Sequence, residues 1–258
     1  MNQKTNRKIS LITVSYNSAE TIRDSLVSVN NQSYHNIDHI IIDGASNDET
    51  LNIVHEKKRR IVKVVSEPDK GIYDAYNKGL ELVDGGIIGF LNSDDIYAHD
   101  AVIERVMAEF EDPNIDAVYG DLVYVSKEDL SKKRRFWKSK VYLKDSFCDG
   151  FVPAHPTLFF RAAVYEKVGN FNTDFCYSGD FDLMLRAFHL EKVKSRYIND
   201  VFVLMRDGGQ TGGDFWSQVK QNQEIFKSFS INGVKINKFR YLLRKIIKRI
   251  KEKISVIN

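Results

Sequence analysis

Four short runs rich in Ile, Val and Leu, at residues 9–16, 37–43, 61–66 and 87–91, constrain the fold of this chain more than any other feature. Each is short, apolar and followed by polar residues, so each reads as a strand closed by a turn. Helical patterns lie between them. Residues 20–29 follow a Ser18 cap, a second helix opens near Asp48 after Gly44-Ala45-Ser46-Asn47, and 72–83 carries Ile72, Ala75, Tyr76, Leu80 and Val83 at helical spacing. Asp84-Gly85-Gly86 then breaks the chain before the fourth run. This βαβαβαβ rhythm implies an α/β fold with a parallel sheet and helices on both faces. Such sheets bind ligands outside the carboxyl ends of their strands. Asn17, Asp43, residues 67–70 and residues 92–95 all fall there.

From about Asp116 the texture changes. Residues 117–125 and 136–141 read as longer strands, in an antiparallel arrangement, around the polar segment 126–135. A loop-like stretch at 145–156 precedes helices at 162–168 and 181–190 and a strand at 197–205. With no repeat and no Gly/Ser linker, the second half is expected to complete the same domain. Apolar residues make up 43% and charged residues 28% of the 258, which excludes disorder and collagen-like structure. No uncharged run approaches the ~20 residues of a bilayer span. Residues 1–8 are polar and the run after them is broken by Ser15, Tyr16 and Asn17, so no secretory leader is read and a cytoplasmic chain is expected. Cys148 and Cys176 read as two reduced thiols rather than a disulfide or zinc framework.

The adjacent carboxylates Asp94 and Asp95 repel unless a cation lies beside them. They read two ways: as ligands of a divalent ion, Mn²⁺ or Mg²⁺, shared with substrate phosphates, or as a cap on a helix starting near His99. Ser46 with Glu49 forms a plausible capping box, which makes Asp48 and Glu49 structural. Asp43, at the end of Ile40-Ile41-Ile42, lies where a ligand would lie.

The ordered set of motifs carries a family resemblance. Val14-Ser15-Tyr16-Asn17, Asp43-x-x-Ser46-x-Asp48-x-Thr50, Gly71 through Asn77 to Gly79, and Ser93-Asp94-Asp95 closely resemble the family 2 glycosyltransferases of the nucleotide-diphospho-sugar transferase (GT-A) fold. His155-Pro156-Thr157, Val168-Gly169-Asn170-Phe171, Gly179-Asp180-Phe181-Asp182-Leu183 and Gly208-Gly209 continue it, over roughly residues 8–225. Residues 66–75 look like the branch that includes O-antigen and other exopolysaccharide transferases. The resemblance implies a Rossmann-like, mostly parallel sheet with flanking helices over residues 1–230. Residues 8–115 would bind the nucleotide-sugar and 116–230 the acceptor.

What the resemblance implies for the site is specific. Val14 and Tyr16 would line the base pocket, Asp43 would hydrogen-bond the base, usually uracil, Asp94 would face the ribose or donor sugar, and Asp95 would hold the metal on the diphosphate. Asp180 would be the general base, with Asp182 as its rival. The implied reaction is an inverting transfer of a hexose or N-acetylhexosamine from a nucleotide diphosphate sugar, first of all a UDP-sugar, to a glycan or lipid-linked acceptor. One metal-holding carboxylate and one separate base suffice for it, because the leaving diphosphate needs a cation and the acceptor hydroxyl needs a proton acceptor. Two positions depart from the pattern: Asn92 or Ser93 stands where a third acid is usual, and Gly179 replaces a glutamate before the base. Lys70 could meet a phosphate, and His155 reads as structural or as a metal or diphosphate contact. Residues 208–213 read as a mobile segment that closes over the donor. A nucleotidyltransferase would want a glycine-rich loop after the first strand, and 15–22 has no glycine. A non-catalytic, membrane-associated nucleotide-sugar-binding scaffold would bind donor without turnover.

The tail, 231–258, is expected to be a basic amphipathic helix. Residues 238–253 hold eight Lys/Arg against Glu252, so they carry +7 of a net +3 and leave the rest at −4. An acidic body with a basic tail is not the footprint of a nucleic-acid-binding protein. Phe239, Leu242, Leu243, Ile246, Ile247, Ile250 and Ile254 share one helical face. Such a helix either packs on its own domain or lies on an anionic membrane, which would place the protein peripherally on the inner face of the cytoplasmic membrane and fit a polyprenyl-diphosphate-linked acceptor.

Overall fold

The computed structural model describes residues 7–57, 59–143, 145–208 and 215–254. The expected rhythm is present: β1 (Ile9–Ser15), α1 (Ile22–Asn30), β2 (Ile37–Asp43), α2 (Thr50–Glu56), β3 (Ile61–Ser66), α3 (Ile72–Glu81) and β4 (Ile87–Phe90). These strands form a parallel sheet in the order β3-β2-β1-β4. β1 and β4 are wholly buried because helices cover both faces, whereas β3 is an edge strand with exposed residues. On α1 the buried Ile22, Ser25, Leu26 and Val29 recur at i, i+3, i+4 and i+7, the stripe that seats a helix on a sheet.

The second half extends the same sheet. β5 (Asp95–Tyr97) and α4 (Val102–Glu109) precede β6 (Ala117–Val125) and β7 (Lys133–Trp137). Then come β8 (Phe159–Arg161), α5 (Ala162–Val168), α6 (Gly179–Met184) with a π-helical turn over 185–190, and β9 (Ser195–Arg206). Beyond β4 the sheet runs β8-β6-β9-β5, with β7 on β6. β6 lies parallel to β9, while β8, β7 and β5 are antiparallel to their neighbours. The hairpin expected around 126–135 is the β6–β7 pair, with its second strand shifted to 133–137. The three-residue strands β5 and β8 are too short for periodicity to reveal. Helices α7 (Phe215–Ile231) and α8 (Lys238–Ile254) end the described chain.

One core face joins α3, α5, α6 and α7 to the sheet through Tyr73, Tyr76, Phe160, Phe181 and Phe229; the other seats α4 through Val102, Ile103, Val106 and Met107. No helix among the described residues is long and apolar enough to cross a membrane.

His39, on β2, is fully buried and shares a 2.8 Å hydrogen bond with the Thr13 hydroxyl of β1. Burial pushes its pKa down from 6.5 to about 3. The unfolded chain therefore binds a proton in that interval that the folded chain refuses, so this residue makes stability fall as pH drops from about 6.5 to about 3. His39→Gln is expected to reduce the slope of unfolding free energy in that window by up to ~1.4 kcal/mol per pH unit, as read from urea melts at successive pH values.

Candidate active site

The carboxyl ends of β1, β2 and β4 open on one crevice. At one end of it Tyr16 is 63% exposed beside Gly44, where a side chain would come within 3.3 Å of the Tyr16 ring and 2.5 Å of Asp69. Val14, near the end of β1, is buried. Asn17 takes a left-handed backbone (φ 47°), and its side-chain oxygen accepts the Asn47 N–H at 3.0 Å. Asp43 is fully buried and accepts four hydrogen bonds: from Ser15 Oγ (3.0 Å), Ser46 Oγ (2.5 Å), Ser46 N (2.9 Å) and Ser66 Oγ (2.7 Å). These bonds fill its lone pairs and tie three strand ends together. The Ser46–Glu49 capping box does not form. Ser46 serves Asp43 and the Asn17 N–H, α2 begins at Thr50, and Asp48 accepts from the Thr50 N–H at 3.0 Å and the Ala19 N–H at 3.0 Å.

At the end of β4 the two readings of Asp94-Asp95 separate. The next helix begins at Val102, and Asp95 opens β5, so neither carboxylate caps a helix. Asp95 is fully buried and its Oδ1 has no hydrogen-bond partner, while Asn92 Nδ2 approaches Oδ2 at 3.4 Å. Burial, then the Asp94 charge, pushes the Asp95 carboxyl well above the usual carboxylate range, and Arg206 opposes the shift. Burial raises Asp94 as well. An orphaned carboxylate oxygen beside a second acid is what a divalent cation fits. Asn92 accepts the Tyr76 hydroxyl at 2.6 Å, and an acid in its place would add a third negative charge to this desolvated pair.

Across the crevice Asp180 lies in the first turn of α6 and is partly exposed, its Oδ1 accepting the Tyr73 hydroxyl at 3.2 Å. Gly179 is required there because a Cβ would fall 2.8 Å from the Tyr73 ring. The backbone N–H groups of Cys176, Tyr177 and Ser178 donate to the Glu224 carboxylate of α7 at 2.9, 2.7 and 2.9 Å, which fixes the entry to α6. Asp182, the rival two residues on, has different surroundings. It is buried and accepts from Arg186 Nε (2.9 Å), Ser228 Oγ (2.8 Å) and Asn232 Nδ2 (2.8 Å), so its oxygens fasten α6 to α7 and are unavailable as a base. His155 is buried in a 3₁₀ turn with Tyr76, Phe90 and Phe171 at ring-centroid distances of 5.7, 5.5 and 5.7 Å. Burial lowers its pKa and Asp180 partly offsets this. Lys70 is exposed on the rim of a cavity of about 380 Å³ shared with Tyr73, Phe175 and Tyr177. Residues 209–213 of the glycine-rich segment lie outside the described residues.

The structure thus brings Asp94, Asp95 and Asp180 together. Burial raises the Tyr76 phenol, and the charges of Asp180, Asp95 and Asp94 raise it further. Sequence reasoning missed Arg206, which donates to the Asp94 carbonyl at 2.8 Å and pairs with Asp24 at 2.5 Å. Its one signal was an arginine at a strand end just before a glycine pair. Tyr76 was visible only as a helix-face residue, and Tyr73 only as part of the family-like run 66–75. Cys148, read as a reduced thiol, is a free cysteine, and Asp145, Cys148 and His189 each place a ligand atom within 4.8 Å of the others.

Such a sheet, with a buried acid beside a half-buried one after one strand and a separate carboxylate across the cleft, is that of a GT-A-type transferase. The glycosyl transferase family 2 model matches residues 10–169, and the chain belongs to that family. It is 27% identical over 205 residues to a PGL/p-HBAD biosynthesis glycosyltransferase of Mycobacterium bovis, covering 78% of this chain and 77% of the relative. It is 28% identical over 188 residues to an uncharacterized glycosyltransferase of Haemophilus influenzae, covering 67% and 58%. Among solved structures, S. aureus TarS 1-349 in complex with UDP-GlcNAc superposes with a TM-score of 0.67 at 16% identity, covering 92% of this chain and 70% of that one. The mannosyltransferase PcManGT from Pyrobaculum calidifontis, in complex with GDP-Man and Mn²⁺, gives 0.66 at 18%, covering 94% and 70%.

The contrast between the two acids of α6 is directly measurable. Asp182→Ala leaves Arg186 and two further buried donors without their acceptor and is expected to cost about 3–5 kcal/mol of unfolding free energy. Asp180→Asn is expected to stay within about 1 kcal/mol of the parent in the same urea titration.

Proposed function

We propose that this protein is an inverting hexosyltransferase that uses a nucleotide diphosphate sugar, a UDP-sugar first of all, with Asp180 as general base and a divalent ion on Asp95. The observation that carries the reading is the division of labour between two carboxylates. Asp95 is buried with one oxygen unpartnered, and Asp180 is accessible and held by Tyr73 across the crevice. Asp95, with Asp94 beside it, would hold Mn²⁺ or Mg²⁺, which supplies charge neutralisation to a leaving diphosphate. The exposed Tyr16 ring offers the base a stacking face, and Asp43 shapes that pocket by holding Ser15, Ser46 and Ser66. A direct bond from Asp43 to the base would require one of those donors to yield. Asp180 takes the proton of the acceptor hydroxyl as the new bond forms. With Asp182 sequestered, a single base on the acceptor side gives one displacement and inversion. Nucleotide-sugar use and Mn²⁺ dependence are supported by the similarity to proteins described with UDP-GlcNAc and with GDP-Man and Mn²⁺.

The acceptor is read as a polyprenyl-diphosphate-linked glycan of bacterial surface polysaccharide synthesis, met at the inner face of the cytoplasmic membrane. Support comes from α8, which turns its hydrocarbon outward. Phe239 is 77% exposed, and Leu243, Ile246, Ile247 and Ile250 are exposed along the same helix. Tyr241 and Glu252 are buried instead. An outward apolar stripe with the exposed cations Arg240 and Lys251 suits an anionic bilayer surface.

Incubation with a panel of nucleotide sugars and Mn²⁺ is expected to release nucleotide diphosphate from one of them, and a chelator is expected to stop it. Chelator-insensitive release would remove the ion from Asp95. Asp180→Asn is expected to keep donor affinity and slow transfer by about 10²–10⁴-fold. Full donor binding without turnover in the parent would favour the scaffold reading. Replacing Ile246 and Ile250 by Glu is expected to abolish sedimentation with phosphatidylglycerol vesicles while leaving nucleotide release in solution intact.

A further inference from the structure

The face of α8 turned toward the protein carries charge. Lys245 donates to Asn222 of α7 at 2.7 Å and Arg249 to Gln218 at 2.7 Å. Lys248 lies 4.5 Å from the Trp137 ring centroid and 3.7 Å from Glu252. From β7, Arg135 reaches Glu252 at 3.5 Å and covers the Tyr124 ring at 3.8 Å. Among the described residues, Glu252 is the one carboxylate ion-paired with any of these four cations. Burial pushes Lys245 and Lys248 down to about 8, with neighbouring cations adding to the shift.

The cluster borders the catalytic pair. Asp180 is the active-site carboxylate whose charge reaches Lys245. Tyr124, on β6, feels Asp95 as well as Arg135, Glu252 and Arg249. Holding Lys248, Arg135 and Arg249 around one carboxylate, with Lys245 close enough to repel two of them, is unfavourable partly out of water unless further negative charge arrives. A group with two or more negative charges would turn that repulsion into charge-assisted hydrogen bonds, and mixed lysine and arginine donors suit phosphate oxygens.

We propose that Lys245, Lys248 and Arg249 of α8, with Arg135 of β7, bind a phosphate or diphosphate group carried by the acceptor, beside the Trp137 ring. Assigning that anion to the acceptor rests on the transferase reading; the anion site itself does not. The cluster is in electrostatic reach of Asp180 through Lys245 and adjoins Tyr124, which feels Asp95, and the opposite face of its helix carries the apolar stripe. An acceptor anchored in a bilayer by its phosphate end would therefore present its hydroxyl toward the base.

The test uses the full-length protein and inorganic pyrophosphate, with EDTA present so that a metal-dependent donor site is silent. Calorimetry is expected to show saturable binding that weakens about tenfold or more in Lys245→Met and in Lys248→Met, and is retained in Lys248→Arg. Methionine suits the apolar side of this site, so both variants are expected to melt at or above the parent temperature. Affinity for UDP with Mn²⁺ is expected to change less than about twofold, since the donor site is separate. Pyrophosphate binding that the lysine variants leave unchanged would overturn the site. An equal loss of UDP–Mn²⁺ affinity would reassign the cations to the donor diphosphate and overturn the acceptor assignment. Loss of binding to phosphatidylglycerol vesicles in step with pyrophosphate would reassign them to lipid headgroups and overturn it too. A failed transferase reading would appear elsewhere, as no nucleotide release from any donor.

Discussion

Asp95 is a carboxylate taken out of water with one cation, Arg206, registering against it. That burial is unfavourable unless strong compensation is near, and the surrounding structure is arranged around it. β5 exists to carry it, paired to β9 from Asp95↔Met205 to Tyr97↔Val203. Arg206 follows directly on β9, reaches the Asp94 carbonyl and is itself held by Asp24 of α1. The neutral Asn92 and the Tyr76 hydroxyl complete the shell without adding charge. The sheet thus delivers a concentrated negative potential to a crevice whose other wall, Asp180, is separately supported.

The first half of the fold was legible because its strands are apolar, short and evenly spaced, and its helices show a clear apolar stripe. The polar strand ends followed from topology. What the sequence hid was pairing between distant segments. β5 and β8 have three residues each, so their strand character comes from neighbours rather than from pattern. Asp180 and Asp182 are two residues apart and chemically identical, and the donors that separate them, Ser228 of α7 and Asn232 just past its end, come from some fifty residues away. Asp43 was located correctly as a strand-end acid, but its four hydrogen bonds could not be read from a linear motif.

The tail helix was legible as amphipathic and illegible in orientation. A helical wheel has no preferred side until the partner surface is known. Here α7, β7 and the loop around Gly150 offer amide oxygens, aromatic faces and the Asp149 carboxylate, which pairs with Arg240 and Arg244, so much of the polar face turns inward and most of the hydrocarbon is left outside. A stripe that would ordinarily build a core becomes surface.

The tie between α6 and α7 has a consequence for how such a chain can be divided. Glu224 closes the entry to α6, and Asp182 is clasped by Ser228 and Asn232. The family match ends at residue 169, before any of these groups. A fragment cut at that boundary would keep the buried Asp95 and discard Asp180. One cut after α6 would keep Asp180 in name only, without the clasp that aims it. Recombining donor and acceptor specificities between relatives therefore demands that α6 and α7 travel as one inherited unit.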